Sequence, residues 1–205
     1  KLGVNVSPNA GLSTAIGADA SSLQMAAAYG AFATMGVYRK PQFVSKIETA
    51  DGQVRKYNFA GKRVMKKSTA YMITDMLKGV LTSGTGTTAK VSGIYEAGKT
   101  GTVKYSDADL VKYPSYSSTP KDSWFVGYTK QYSIGIWTGY DNLKDGTISG
   151  VGQYSAQLIY KYMMSYLMAD EDSTDWEMPA TVVKKRIVKN TEDKVASPGQ
   201  PYTWE

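Results

Sequence analysis

The 205 residues are 42% hydrophobic and 20% charged, enough for one packed domain or one and a half and too apolar for wholesale disorder. There is no cysteine and no histidine, which excludes disulfides, thiol chemistry, imidazole bases and the commonest metal ligands; any catalysis must run on Lys, Ser, Thr, Tyr or carboxylates. The net charge of +6 is uneven: residues 1–170 hold 19 Lys+Arg against 11 Asp+Glu, and residues 171–205 hold 5 against 7. The densest basic stretch is Arg55, Lys56, Lys62, Arg63, Lys66 and Lys67. A basic body suits nucleic acid, acidic lipid or an anionic wall polymer, but a plain solvated face is the preferred explanation, and no nucleic-acid partner is expected.

In chain order, Lys1 to Asp19 is loop-like, with Pro8, Gly11 and Gly17. Ser21–Gln24, "SSLQ", is a capping-box pattern opening a helix of roughly four turns, "LQMAAAYGAFATM", whose alanines predict close, buried packing. Gly36 is placed to end it in the left-handed conformation. "FVSKIETADGQVRKY" predicts a hairpin turning at Asp51-Gly52. Ser68 is read as the cap of a second helix, with Met72, Ile73, Met76, Leu77, Val80 and Leu81 as its core stripe. After the loop "SGTGTTAK" come three predicted strands: "EAGKTGTVKY", "SWFVGYT" (Ser123–Thr129) and "YSIGIWTGY" (Tyr132–Tyr140). Lys130-Gln131 joins the last two as an antiparallel hairpin. The glycines of the third strand predict something packed tightly on one face. A last helix, "QYSAQLIYKYMMSYLM", puts Ala156, Ile159, Tyr160, Met163 and Leu167 on the face that covers the sheet. Beyond Asp170 the sequence turns acidic and proline-containing, with one short strand expected in "ATVVKKRIVK" and otherwise an extended tail. Helices and strands in blocks predict α+β with an antiparallel sheet.

No run approaches the ~20 apolar residues of a membrane helix; Met25–Tyr38, short and rich in small residues, comes nearest. No signal peptide is visible, and the opening "KLGVNV" without an initiator Met reads as part of something longer.

"GIYEAGKT", Gly93 to Thr100, matches the spacing of a phosphate-binding loop, but the context is wrong: Ile94 and Tyr95 read as strand, and strand rather than helix follows Lys99. Read as strand, Lys99, Gly101 and Val103 share one face and Thr100 and Thr102 the other. Gly101 admits close approach, the threonine hydroxyls can donate to a carboxylate, and a strand edge offers free N–H groups to a peptide or an oxyanion. The ensemble suits an anionic, peptide-like ligand.

The stretches "SSLQMAAAYGAFATMGVYRKPQFVSKIETADG", "TAYMITDMLKGVLTSGTGT", "AGKTGT" and "SWFVGYT…YSIGIWTGYDN" resemble, in the same order, the distal half of the transpeptidase domain of class A, bifunctional penicillin-binding proteins, whose third motif is Lys-Thr/Ser-Gly. The resemblance covers most of residues 1–170 and implies an antiparallel sheet covered by helices on both faces, incomplete in this chain, with residues 171–205 an extension or linker. It implies that Lys99 shapes the electrostatics and proton transfers of the site. Thr100, Gly101 and Thr102 would then bind the substrate: the threonines take the terminal carboxylate of a D-Ala-D-Ala stem peptide or a β-lactam, and the Thr102 N–H is an oxyanion donor. No cofactor and no metal are implied.

The family's nucleophile, in Ser-x-x-Lys at a helix start, is not found. Ser118-Thr119-Pro120-Lys121 is the one match, but it follows Lys99, carries a proline and falls in a serine-rich loop. Ser7-Pro8-Asn9 matches Ser-x-Asn but reads as a turn. The expectation is therefore a C-terminal piece of a longer enzyme, partnered by the complementary N-terminal piece of the same protein, with Tyr132–Tyr140 exposing an unpaired edge. The implied function is a D,D-transpeptidase working through an acyl-serine, membrane-anchored, extracytoplasmic and preceded by a glycosyltransferase domain. The alternatives are a β-lactamase or D,D-carboxypeptidase, and a non-catalytic wall-peptide-binding module.

Overall fold

The first helix begins where its capping box stands. In the computed structural model, which describes residues 1–7, 9, 11, 14, 17–188, 195–198 and 202–204, α1 spans Ser22–Ala33. The Ser21 hydroxyl accepts from the Gln24 N–H, and the Gln24 side chain accepts from the Ser21 N–H. Its end differs from expectation. The left-handed residue that closes the helix is Met35 (φ 54), with Gly36 (φ 96) following and donating to the Ala31 carbonyl at 2.7 Å. Gly36 is left-handed as expected, but second in line after Met35, and a Cβ there would stand 2.5 Å from the Met65 carbonyl oxygen.

Two short antiparallel pairs follow. β1 (Val37–Tyr38) pairs with β4 (Lys62–Arg63), and β2 (Lys46–Glu48) pairs with β3 (Val54–Lys56). The β2–β3 turn closes with Gly52 N–H on the Thr49 carbonyl and Gly52 at φ 83, the predicted turn in its three-residue form. The basic stretch lies on these exposed pairs and the entry to the next helix.

That helix, α2 (Lys67–Thr82), starts before the expected cap: Lys66 is the N-cap, without a side-chain bond, and Ser68 lies in the first turn. The start is set upstream, where Val64 N–H bonds the Gly36 carbonyl and the Arg63 guanidinium donates to the Met35 carbonyl. Its buried residues are Ala70, Thr74 and Leu81, while Met72 and Met76 of the expected stripe are 47% and 67% exposed. Thr74 decides this facing, since its hydroxyl bonds the buried Tyr128 hydroxyl at 2.9 Å.

The central sheet is β5 (Ala97–Val103), β6 (Asp122–Tyr128) and β7 (Ser133–Gly139), antiparallel in that order. Opposite residues share a face. Ala97, Lys99 and Gly101 lie opposite Tyr128, Val126 and Trp124; Gly98, Thr100 and Thr102 lie opposite Gly127, Phe125 and Ser123. Between β5 and β6 the polar segment holds α3 (Asp107–Lys112), opened by a Ser106–Asp109 capping box.

Helices cover both faces. α1 lies on one, where Gly135 lets the Ser22 carbonyl approach (a Cβ would stand 2.6 Å away) and the Ser133 hydroxyl donates to the Ala26 carbonyl. On the other face lies α4 (Ser155–Leu167), burying Ala156, Gln157, Tyr160 and Met164. The expected Ile159 and Met163 instead point outward, 42% and 46% exposed. Gly127 explains the rotation: a Cβ there would meet the Tyr160 ring at 2.5 Å, so the missing side chain is the socket for Tyr160.

After α4 the chain packs back. Trp176 is buried against Ala33, Ala97 and Tyr128, and its indole N–H donates to the Ala33 carbonyl at 2.9 Å. Within "ATVVKKRIVK", β8 (Arg186–Val188) pairs with β9 (Tyr202–Trp204); Lys189 and most of the tail between them lie outside the described residues. Among the described residues no helix is long and apolar enough to cross a membrane, and no cluster of acidic residues could hold a metal ion.

Candidate active site

β5 is an edge strand: among the described residues only β6 pairs with it. The Lys121 N–H donates to the Val103 carbonyl, so Val103 and, by the two-residue repeat, Gly101 and Lys99 turn their backbone groups toward β6. Thr100 and Thr102 turn theirs to the free edge. Lys99 reaches over that edge, its ammonium donating to the Thr100 carbonyl at 3.0 Å and to the Thr100 hydroxyl at 3.2 Å. The four predicted site residues are thus contiguous, with Lys99 and Thr102 exposed and Thr100 and Gly101 half-buried. Gly101 lies over Trp124, whose Cβ would be 3.0 Å from an added Cβ.

The run into the strand is turn rather than the expected extension. Ile94 and Tyr95 lie outside β5, after a turn at Gly93 (φ 81). The phosphate-loop spacing is therefore split between a turn and a strand, and strand follows Lys99.

Glu96, just before β5, is buried. Its carboxylate accepts from the Val91 N–H at 2.6 Å and from the Tyr160 hydroxyl at 2.9 Å. Burial pushes the Glu96 carboxyl above the usual range, against the opposing pull of these two bonds and of Lys90 and Lys161. Burial and the facing Glu96 charge push the Tyr160 hydroxyl well up, so it remains a donor. This pair pins the root of β5 to α4.

The sequence reading missed the partner of Thr100. Thr85, in the loop after α2, sets its hydroxyl 2.6 Å from that of Thr100. Its backbone is held from below, where Gln157 of α4 donates to the Thr85 carbonyl at 3.3 Å. The hydroxyl-rich run Thr85, Thr87, Thr88 was the available signal, but a loop has no periodicity to say which hydroxyl faces the strand.

Ser118 closes a 3-10 turn, Pro114–Ser118, and Pro120 and Lys121 continue as non-helical chain, so the Ser-x-x-Lys match does not bring its two side chains together on a helix. Asn9 donates its N–H to the Ser7 hydroxyl, and Pro8 lies outside the described residues. Two clefts among the described residues, of about 310 and 600 Å3, are lined respectively by residues around Thr138 and Thr147 and by residues around Ala33 and Trp176; neither includes the β5 edge.

The family model for the penicillin binding protein transpeptidase domain matches residues 5–165. Penicillin-binding protein 1A of Streptococcus oralis is 46% identical over 160 residues, covering 78% of this chain and 25% of that protein. The PonA1 protein of Mycobacterium tuberculosis in complex with penicillin V is similar at 26% identity and TM-score 0.61, over 78% of this chain and 42% of that one. Penicillin-binding protein 1A of Haemophilus influenzae shares the fold at TM-score 0.66 and 17% identity, over 94% of this chain and 33% of that one. The chain spans about a quarter or less of the length of the curated relatives it matches most strongly. It has the transpeptidase fold of helices on an antiparallel sheet and belongs to the penicillin-binding protein transpeptidase domain family, among the class A proteins represented by penicillin-binding protein 1A.

Proposed function

We propose that this chain forms the carboxylate-binding wall of a D,D-transpeptidase that crosslinks peptidoglycan stem peptides through an acyl-serine and is acylated by β-lactams. One observation carries the reading. In a chain of this family, Lys99, Thr100, Gly101 and Thr102 lie along the free edge of β5, with the backbone of both threonines facing outward. A D-Ala-D-Ala terminus or a β-lactam carboxylate then lies against Lys99 and the hydroxyls of Thr100 and Thr102. The Thr102 N–H donates to the oxyanion as the tetrahedral intermediate forms. Gly101 keeps the strand low enough for the ligand to approach.

The nucleophile comes from the complementary N-terminal part of the same protein. Two observations support this: the only Ser-x-x-Lys match lies in a 3-10 turn and loop, and no described strand pairs with the outer edge of β7. Residues 1–170 are then the C-terminal part of the transpeptidase domain, and residues 171–205 an extension anchored to it at Trp176. By the resemblance to class A proteins, the whole protein is held at the membrane, faces outward and carries a glycosyltransferase domain.

The test is labelled penicillin with the full-length protein, followed by peptide mapping of the label. A label on a serine outside residues 1–205, lost with Lys99→Ala, is the expected result. Label on Ser118, or none, would sink the proposal. Adding an acceptor amine and analysing products separates the transferase from a β-lactamase or D,D-carboxypeptidase.

A further inference from the structure

We propose that Thr85 is a working member of the anion-binding wall: its hydroxyl and that of Thr100 act as one unit, which presents a single free O–H to the ligand carboxylate. This rests on the proposed function and adds a residue to it.

Each threonine hydroxyl has one proton to donate and two lone pairs to accept with. The two oxygens are 2.6 Å apart, so one proton lies between them. The Lys99 ammonium donates to Thr100 Oγ1 and uses a lone pair there. If Thr85 donates to Thr100, both Thr100 lone pairs are filled and the Thr100 proton is left for an outside acceptor. If Thr100 donates to Thr85, the Thr85 proton is the one left. In either state the pair offers one O–H, beside a lysine cation, to a group that brings lone pairs and negative charge. Charge-assisted bonds of this kind are the strong ones.

The loop is built to hold Thr85 in place. Gly86 N–H bonds the Val80 carbonyl at the end of α2. A Cβ on Gly86 would stand 3.0 Å from Val80 Cγ1 and 3.2 Å from the Phe125 ring, so the loop lies tight on the sheet next to Thr100. From beneath, the buried Gln157 fixes the Thr85 carbonyl, yet Thr85 itself is exposed. An exposed hydroxyl fixed from two directions and aimed at Thr100 is a positioned group.

The experiment uses the full-length enzyme and measures second-order acylation by a penicillin and by its methyl ester, which lacks the anionic carboxylate. Thr85→Val, Thr85→Ala, Thr85→Ser, Thr100→Val and the Thr85→Val/Thr100→Val double variant are compared. Thr85→Val leaves Thr100 its own proton but removes the hydroxyl that orients it, so acylation by the acid should fall about tenfold, the scale of a misaligned hydrogen bond to a charged group. The same substitution should barely change acylation by the ester, and Thr85→Ser should restore the acid rate. The double variant should fall no more than about twofold below Thr100→Val, because the two hydroxyls are one unit. Equal losses for acid and ester, or additive losses in the double variant, would overturn the proposal. Should Thr85→Val not fold, Thr85→Ala carries the same comparison. A wild-type protein that no penicillin acylates would instead overturn the transpeptidase reading, and this inference with it.

Discussion

Replacing Trp176 by alanine removes the plug between the end of α1 and the root of β5. The side chain is 4% exposed, meets the Tyr128 ring edge-on at 5.6 Å between centroids, and donates to the Ala33 carbonyl at 2.9 Å. Truncating a buried tryptophan costs about 3–5 kcal/mol. In a chain of this length each kcal/mol moves the melting temperature by about 2–4 °C, so a fall of about 6–20 °C is expected. Trp176→Phe keeps most of the ring and loses the donor, leaving the carbonyl unsatisfied, for about 1–2 kcal/mol. The adjacent Lys78–Asp175 ion pair is partly exposed and adds little. Thermal unfolding of the protein carrying each variant, followed by calorimetry, reads both numbers. A Trp176→Ala variant melting within about 2 °C of wild type would refute the view that the segment after α4 is integral to the domain.

Three further outcomes follow from the geometry. Gly135→Ala should destabilise by about 1–3 kcal/mol, because its Cβ meets the rigid backbone of α1. Gly30→Ala should stabilise by about 0.5–1 kcal/mol, because the nearest atom to its Cβ is Ser133 Cβ at an ordinary 3.8 Å; melting temperatures that rank the two glycines the other way would contradict the α1–sheet packing. Glu96→Gln should flatten the dependence of stability on pH. Burial raises the Glu96 pKa, so between the ordinary carboxylate value and its raised one the folded chain keeps a proton that the unfolded chain has lost, and stability falls as pH rises through that window. Matched melting curves from pH 4 to 8 check this, and identical slopes for the two proteins would count against it.

Where the sequence carried local chemistry, it could be read. The Ser21–Gln24 box and the Asp51-Gly52 turn rest on contacts within a few residues, and each formed as expected. The three-strand sheet was legible because β-branched and aromatic runs are punctuated by polar joints, a long one holding α3 between β5 and β6 and a short one between β6 and β7. The helix faces were not. α4 is apolar nearly all round, so its periodicity fits several rotations, and the socket at Gly127 on a distant strand selects the one that buries Tyr160. In α2 the choice was made by a polar residue, Thr74, which reaches Tyr128 some fifty positions away. At the candidate site the motif Lys99–Thr102 was visible in one dimension. The Thr85–Thr100 contact was not, because it depends on how a loop folds back over the sheet.

The outer edge of β7 also governs how the chain behaves as a solute. Between Ser133 and Gly139 every second residue turns a donor and an acceptor outward, and among the described residues no strand meets them. Two copies can satisfy those groups by strand addition without unfolding. Prepared alone, the chain is thus expected to self-associate increasingly with concentration while its helical content stays native, and a soluble extended peptide that caps β7 would suppress this.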